Sequence, residues 1–209
     1  MAFTGFFAFA FTGTVSFKDR ILMRDVFSSD TLNDIFKILI KMIAFTFILE
    51  AAGALVIYFG LPDDLPNKTF TAVFHAVSAF CNAGFSTLSN GLAATDGTYS
   101  TSLYLTISML VILGGIGFPV LLAFYALIKY QFLKIIQPKM VQFKPARYMS
   151  KNIAERLVLV TTLVLLVGGT LGYYLLERNS SLVQEPENRR WLIAFFGSMS
   201  SRTAGFNMI

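Results

Sequence analysis

The chain has 209 residues, of which 55% are hydrophobic and 14% are charged, and its formal net charge is +5. Soluble domains carry about a quarter charged residues, so this composition predicts a membrane protein. One cysteine and one histidine exclude a disulfide framework, a four-cysteine metal site and a nucleophile–base pair, so we expect no enzyme.

The amino-terminal residues 1–11 are apolar and rich in phenylalanine, and no basic residue precedes Lys18. A signal peptide would place a basic region before its apolar core. We interpret the segment instead as the end of a membrane helix that continues into the basic residues Lys18, Arg20 and Arg24. This interpretation predicts that the chain is an internal fragment of a longer protein.

Three apolar segments are long enough to cross a bilayer, which takes about 20 residues of helix. They are residues 35–59, 102–128 and 157–176, and the second and third contain no charged residue. The first contains Glu50 near its middle. An acid at this depth faces a cavity or pairs with a basic residue, and the sequence leaves both interpretations open.

Two further apolar segments, residues 69–80 and 191–199, are too short to span. As helices they would cover about half of the membrane at roughly 1.5 Å per residue. Each is followed by a polar stretch that contains glycine, residues 81–86 (the first loop) and residues 201–207 (the second loop). Their positions beside full spans predict re-entrant segments.

Charge orients these segments in the membrane. Residues 129–154 hold five lysines, one arginine and no acid, so the positive-inside rule predicts a basic cytoplasmic loop. The opposite connections, around Asp63 and Glu177, are richer in acids and are predicted to face outside. Both short segments then enter from the outside. Because the excess positive charge lies in loops, the net charge requires no nucleic-acid partner.

The two short segments form an internal repeat. Aligning Gly84 with Gly205 pairs Ala83 with Ala204, Phe85 with Phe206 and Phe74 with Phe195. Irregular backbone at membrane depth is tolerated only when it is buried or lines a watery cavity, where its carbonyl oxygens can replace the hydration shell of a cation. The pattern predicts a cation filter, against a purely structural turn as the alternative. The candidate ion-binding residues are Asn82, Ala83, Gly84 and Phe85 in the first loop and Thr203, Ala204, Gly205 and Phe206 in the second.

Other residues allow more than one interpretation. The glycine-rich residues 114–119 of the second span predict either a bend or tight helix packing, whereas Gly168 and Gly172 favour packing. His75 is expected to be a packed, neutral imidazole and Cys81 a small buried residue. Asn82 is a candidate to orient the first loop. Arg202 either orients the second loop, pairs with an acid at the outer mouth or repels excess cations.

Three motifs in order, residues 74–86, 114–119 and 201–207, resemble the pore-forming membrane subunit of the Trk/Ktr potassium uptake family, of the KtrB/TrkH-like kind. The resemblance implies an all-α membrane protein with tandem repeats of outer helix, re-entrant pore helix with filter loop, and inner helix, here truncated. It maps the chain onto four parts. These are residues 1–34 (end of the repeat-one inner helix and a cytoplasmic link), 35–128 (a complete repeat two with its filter near 82–86), 129–154 (the basic cytoplasmic loop) and 155–209 (part of repeat three with its filter near 203–207).

The resemblance also implies a function. It predicts import of potassium ions, held by backbone carbonyls of both loops, through a multi-pass protein of the bacterial cytoplasmic membrane, and leaves sodium open as a coupling ion. The implied partners are a second copy of the chain, a cytosolic nucleotide-binding regulatory subunit (KtrA/TrkA-like) and the lipid bilayer. The alternatives are a sodium or less selective monovalent cation transporter of the same family and a non-transporting membrane scaffold, which would need no repeated glycine loops.

Overall fold

A computed structural model describes residues 32–89, 91–92, 100–117, 120–121, 153–183 and 185–207 of the chain. These residues contain helices and no strand, which agrees with the all-α prediction. The predictions for residues 1–31 and for most of the basic loop lie outside the described residues. The elements are α1 (Leu32–Gly60), α2 (Lys68–Phe80), α3 (Thr101–Ile116), α4 (Ile153–Glu177), α5 (Glu187–Met199) and a π-helical turn (Ser200–Ala204).

Helices α1 and α4 contain stretches that are long and apolar enough to cross a membrane, Ile40–Gly60 and Arg156–Glu177. Only 17% and 11% of these stretches are buried within the protein, so most of their apolar side chains face outward, as lipid-facing side chains do. A helix satisfies its backbone groups internally, which a membrane span requires. The first and third predicted spans are confirmed as long apolar helices.

The sequence predicts one continuous span over residues 102–128, but the structure shows a helix that ends earlier. Helix α3 begins at Thr101, after Ser100 accepts a hydrogen bond from the Leu103 amide (3.4 Å), and ends at Ile116. Gly117 then adopts a φ of 93°, a conformation that ends a right-handed helix and that glycine adopts without steric cost. The span is therefore interrupted, and the bend interpretation applies at Gly117.

The chain divides into two compact units, residues 1–47 and residues 48–209. The described part of the first unit is the start of α1, where the Thr46 hydroxyl donates to the Met42 carbonyl oxygen (2.8 Å). The second unit contains both loops. Its core forms where α5 packs against α3 and α4, with Tyr104 edge-on to Phe196 at 5.8 Å between ring centroids.

Close packing of α4 against α5 depends on Gly169 rather than on the glycines predicted to pack. A Cβ atom on Gly169 would overlap the Ser198 hydroxyl, whereas a Cβ on Gly168 or Gly172 would meet no described atom within 4 Å. Neighbouring helix positions differ by about 100° around the axis, so a shift of one residue moves the contact to another face. The prediction of packing at Gly168 and Gly172 is wrong for the described residues.

Candidate functional site

Helices α2 and α5 both end in the same type of backbone hydrogen bond. The Ala83 amide donates to the Ser78 carbonyl oxygen, and the Gly205 amide donates to that of Ser200, each over five residues and each at 2.8 Å. The left-handed backbone then allows the chain to turn away, with φ values of 69° at Gly84 and 76° at Gly205. Both positions therefore favour glycine by backbone conformation, because glycine adopts a positive φ without steric cost.

Each loop is also held by a serine of the segment that precedes it. The Ser78 hydroxyl donates to the Phe85 carbonyl oxygen at 2.9 Å, and the Ser200 hydroxyl donates to the Phe206 carbonyl oxygen at 2.5 Å. Both serines are buried. The sequence alignment missed this equivalence, because placing Gly84 on Gly205 puts Ser78 opposite Met199. The signal in the sequence was a serine five residues before Ala83 and another five residues before Gly205, the two residues whose amides are bonded.

The structure brings the two loops into direct contact. A Cβ atom on Gly84 would overlap the carbonyl oxygen of Ala204 and would lie 3.1 Å from the carbonyl carbon of Gly205. Near this contact, the Leu92 amide donates to the Asn207 carbonyl oxygen at 3.0 Å. Candidate residues that are more than a hundred positions apart in sequence therefore share one site.

The corresponding residues of the two loops have different surroundings. A Cβ on Gly205 would meet no described atom within 4 Å, so this position faces open space while Gly84 faces the other loop. The neighbouring phenylalanines show the opposite pattern. Phe85, beside the packed Gly84, is 68% exposed, whereas Phe206, beside the open Gly205, is only 6% exposed.

His75 anchors the first loop from within α2. Its Nδ1 atom lies 2.7 Å from the Thr71 carbonyl oxygen, which can only accept, so Nδ1 carries a proton. In the neutral ring Nε2 then accepts from the Ser86 hydroxyl at 2.8 Å, and the Ser86 oxygen in turn accepts from the Leu88 amide. This geometry agrees with the packed, neutral imidazole predicted from the sequence. The ring stacks against Phe206 of the second loop, with 6.4 Å between centroids.

Asn82 and Arg202 both extend toward α3. The side-chain carboxamide of Asn82 contacts α3 and Thr203 of the second loop. The Arg202 guanidinium lies 3.7 Å from a Cβ built on Gly115. Gly114 allows this approach, because its Cβ would overlap the Phe80 carbonyl oxygen at the end of α2. The glycine-rich stretch therefore provides close packing at Gly114 as well as the bend at its end.

The acid of the first span has no basic partner among the described residues. Cys81 is exposed, so the prediction that it is buried is wrong. Cys81 is the residue that follows the last residue of α2, and it lies outside the set of buried residues of that helix.

Cation binding by a side-chain cluster finds no support in the described part of the chain. No group of three or more His, Cys, Asp or Glu residues there could hold a metal ion. At the start of α2, Lys68 pairs with the exposed Asp63 at 2.6 Å, and this hydrogen-bonded ammonium lowers the pKa of Asp63 below its usual range.

Comparison with known proteins identifies relatives of the chain. A family model described as a cation transport protein, TrkH, matches residues 15–209. The potassium/sodium uptake protein NtpJ of Enterococcus hirae is 30% identical over 98% of this chain and 41% of its own length. The Ktr system potassium uptake protein B is 26% identical in Vibrio alginolyticus, over 100% of this chain and 43% of that protein. Its Bacillus subtilis counterpart is also 26% identical, over 93% of this chain and 40% of that protein. The chain spans about two fifths of the length of these relatives.

Proposed function

The chain belongs to the TrkH family of cation transport proteins, and from this premise we propose that it forms part of a pore that imports potassium ions. The observation that carries the proposal is the pair of loops. Each follows a short helix, turns at a left-handed glycine and touches the other loop. A purely structural turn would need no second copy in contact with it.

Ion coordination in this proposal is the task of the backbone. The ligands are carbonyl oxygens of residues 82–85 in the first loop and 203–206 in the second. Those of Phe85 and Phe206 already accept a serine hydroxyl, but a carbonyl oxygen has a second lone pair and can also face an ion. The carboxyl-terminal dipole ends of α2 and α5 add a partial negative charge that favours a cation.

The wider architecture follows the family. We propose that residues 35–128 form repeat two and residues 155–209 part of repeat three, with α2 and α5 as re-entrant pore helices. The protein would then be a multi-pass protein of the bacterial cytoplasmic membrane. The word "system" in the names of two relatives supports a cytosolic regulatory partner, and pairing with a second copy is part of the same proposal.

Sodium is the alternative cargo. The Enterococcus hirae relative is named for both potassium and sodium, and carbonyl ligands bind either ion. The contacts between the loops do not separate a potassium importer from a less selective monovalent cation transporter. A direct competition between the ions therefore belongs in the test.

The test is rubidium uptake in cells that lack their own potassium importers. The complete open reading frame that carries this chain is expressed together with its cytosolic partner, unmodified or with Gly205→Asp or Gly205→Asn. Asparagine and aspartate are similar in size and both tolerate left-handed backbone, so the two variants differ mainly in charge. A Cβ atom on Gly205 would meet no described atom within 4 Å, so both substitutions start from an open position.

We expect the unmodified protein to take up rubidium and Gly205→Asp to lose rate or potassium selectivity relative to Gly205→Asn, since a carboxylate in an ion path traps cations. No uptake by well-expressed protein would remove potassium import. Equal behaviour of the two variants would take Gly205 out of the ion path and leave family membership intact.

A further inference from the structure

Asn82 has a side-chain role that is separate from its backbone carbonyl. Its backbone is left-handed, with a φ of 54°, and it follows α2 in a Schellman-type ending in which the Asn82 amide donates to the Ala79 carbonyl oxygen at 3.0 Å. Glycine would serve this backbone equally well, so the carboxamide requires a different explanation.

The Asn82 carboxamide joins the second loop to α3. With its oxygen facing a donor and its nitrogen facing acceptors, Nδ2 donates to Thr203 Oγ1 at 2.9 Å and to the Val111 carbonyl oxygen at 3.2 Å. Its Oδ1 atom accepts from the Gly115 amide at 3.1 Å. One side chain thus links three parts of the site: the first loop that carries it, the second loop and α3.

The two partners of Asn82 on α3 belong to one turn of the helix. A regular α-helix joins the amide of residue 115 to the carbonyl oxygen of residue 111. A carboxamide offers the same donor and acceptor as a peptide group, so Asn82 bridges this turn from outside. The space for the carboxamide depends on Gly114, where a Cβ would lie 2.9 Å from the side-chain amide group of Asn82.

The bridged turn lies directly before the end of α3. Two residues after Gly115, the chain leaves the helix at Gly117 with a φ of 93°. A change in the direction of α3 at this point moves the Val111 and Gly115 groups and, through the carboxamide, moves both loops.

We propose that Asn82 is a positioning residue that couples the orientation of α3 to the spacing of the two loops, and thereby sets the discrimination between potassium and sodium. The inference rests on the proposed ion path, in which the distance between loop carbonyls determines which cation fits. In this proposal the link between α3 and the loops is the Asn82 side chain, whereas the loop backbone binds the ion.

The experiment compares Asn82→Gly with Asn67→Gly in the rubidium assay, with sodium as competitor. Asn67 also has left-handed backbone, with a φ of 57°, and it precedes α2 without a side-chain cap. Both substitutions keep a left-handed conformation that glycine tolerates, so they differ in the carboxamide contacts that are lost. The amount of protein in the membrane is measured for each variant.

We expect Asn82→Gly to lower discrimination against sodium about tenfold, the effect of one to two lost hydrogen bonds, with less change in maximal rate. Asn67→Gly should behave as the unmodified protein. Thr203→Val should give a smaller change, and the double variant Asn82→Gly with Thr203→Val should be no worse than Asn82→Gly, because both changes remove the same bond.

Sodium discrimination in Asn82→Gly equal to that in Asn67→Gly would overturn the coupling while the transport proposal stands. If Asn82→Gly does not reach the membrane, Thr203→Val decides, and unchanged sodium discrimination in that variant would equally overturn it. Absence of rubidium uptake by the unmodified protein is a separate result, which removes the proposed function itself.

Discussion

The two glycine loops share their internal hydrogen bonds and differ in what surrounds them. In the first loop, Gly84 is pressed against Ala204, and Phe85 projects outward. In the second, Gly205 faces open space, and Phe206 is buried. The same Ala-Gly-Phe sequence therefore occurs in two different surroundings and after two different helix endings, with left-handed φ at Asn82 and Gly84 in the first loop and at Gly205 in the second. A residue in one loop can be sensitive to substitution where its sequence counterpart is not.

The largest expected effect is that of Gly84→Ala. The added Cβ overlaps a backbone oxygen of the other loop, which cannot rotate away, and the left-handed backbone adds strain. We expect a loss of about 3 kcal/mol or more in the free energy of unfolding, together with loss of rubidium uptake. Gly205→Ala should lose only the strain, about 1–2 kcal/mol. Equal losses of stability, measured by thermal unfolding in detergent, would contradict the distinction between the loops.

A second substitution tests the support that the first loop receives from α3. Gly114→Ala places a Cβ against the Phe80 carbonyl oxygen, so we expect a loss of about 2 kcal/mol in unfolding free energy. Gly115→Ala is the matched control, because its Cβ would make only ordinary contacts and alanine favours a helix by about 0.5–1 kcal/mol. Thermal unfolding of both variants should give opposite signs, and a stable Gly114→Ala protein would show that the loop does not depend on this contact.

The serine hydroxyls test what the loops have in common. Ser78→Ala and Ser200→Ala each remove one buried hydrogen bond to a phenylalanine carbonyl oxygen, which corresponds to about 1 kcal/mol of unfolding free energy. Because both bonds hold a loop in the same way, similar losses are expected in the two variants. A variant with no loss would show that its serine is not needed to hold the loop.

The smallest effect is expected at the start of α2. The exposed Asp63 has a lowered pKa through Lys68, so its contribution to stability is present above the usual aspartate range and is lost only as the pH falls through the lowered value. The ion pair is intact near neutral pH, but an exposed pair contributes little, so Asp63→Asn should leave rubidium uptake unchanged between about pH 6 and pH 8. A clear change in uptake would give this exposed pair a role in ion entry.

Local pattern was enough to predict the main elements of the site. The lengths of the apolar segments predicted α1, α2, α4 and α5, and the glycines predicted where the loops turn. Features that depend on contacts between distant segments escaped prediction. Gly169 packs in place of its neighbours, Cys81 is exposed, and the Asn82 amide reaches α3. Each depends on how distant parts of the chain pack against one another, and a single sequence does not record that.

The central claim is that the two loops border one path for monovalent cations. Its most direct test is rubidium exchange into liposomes that are loaded with potassium and contain the complete purified protein, its Gly205→Asp variant or its Gly205→Asn variant. The account predicts rubidium accumulation by the unmodified protein and a weaker or less selective accumulation by Gly205→Asp than by Gly205→Asn. Accumulation no greater than in protein-free liposomes, or identical accumulation and selectivity in the two variants, would contradict it.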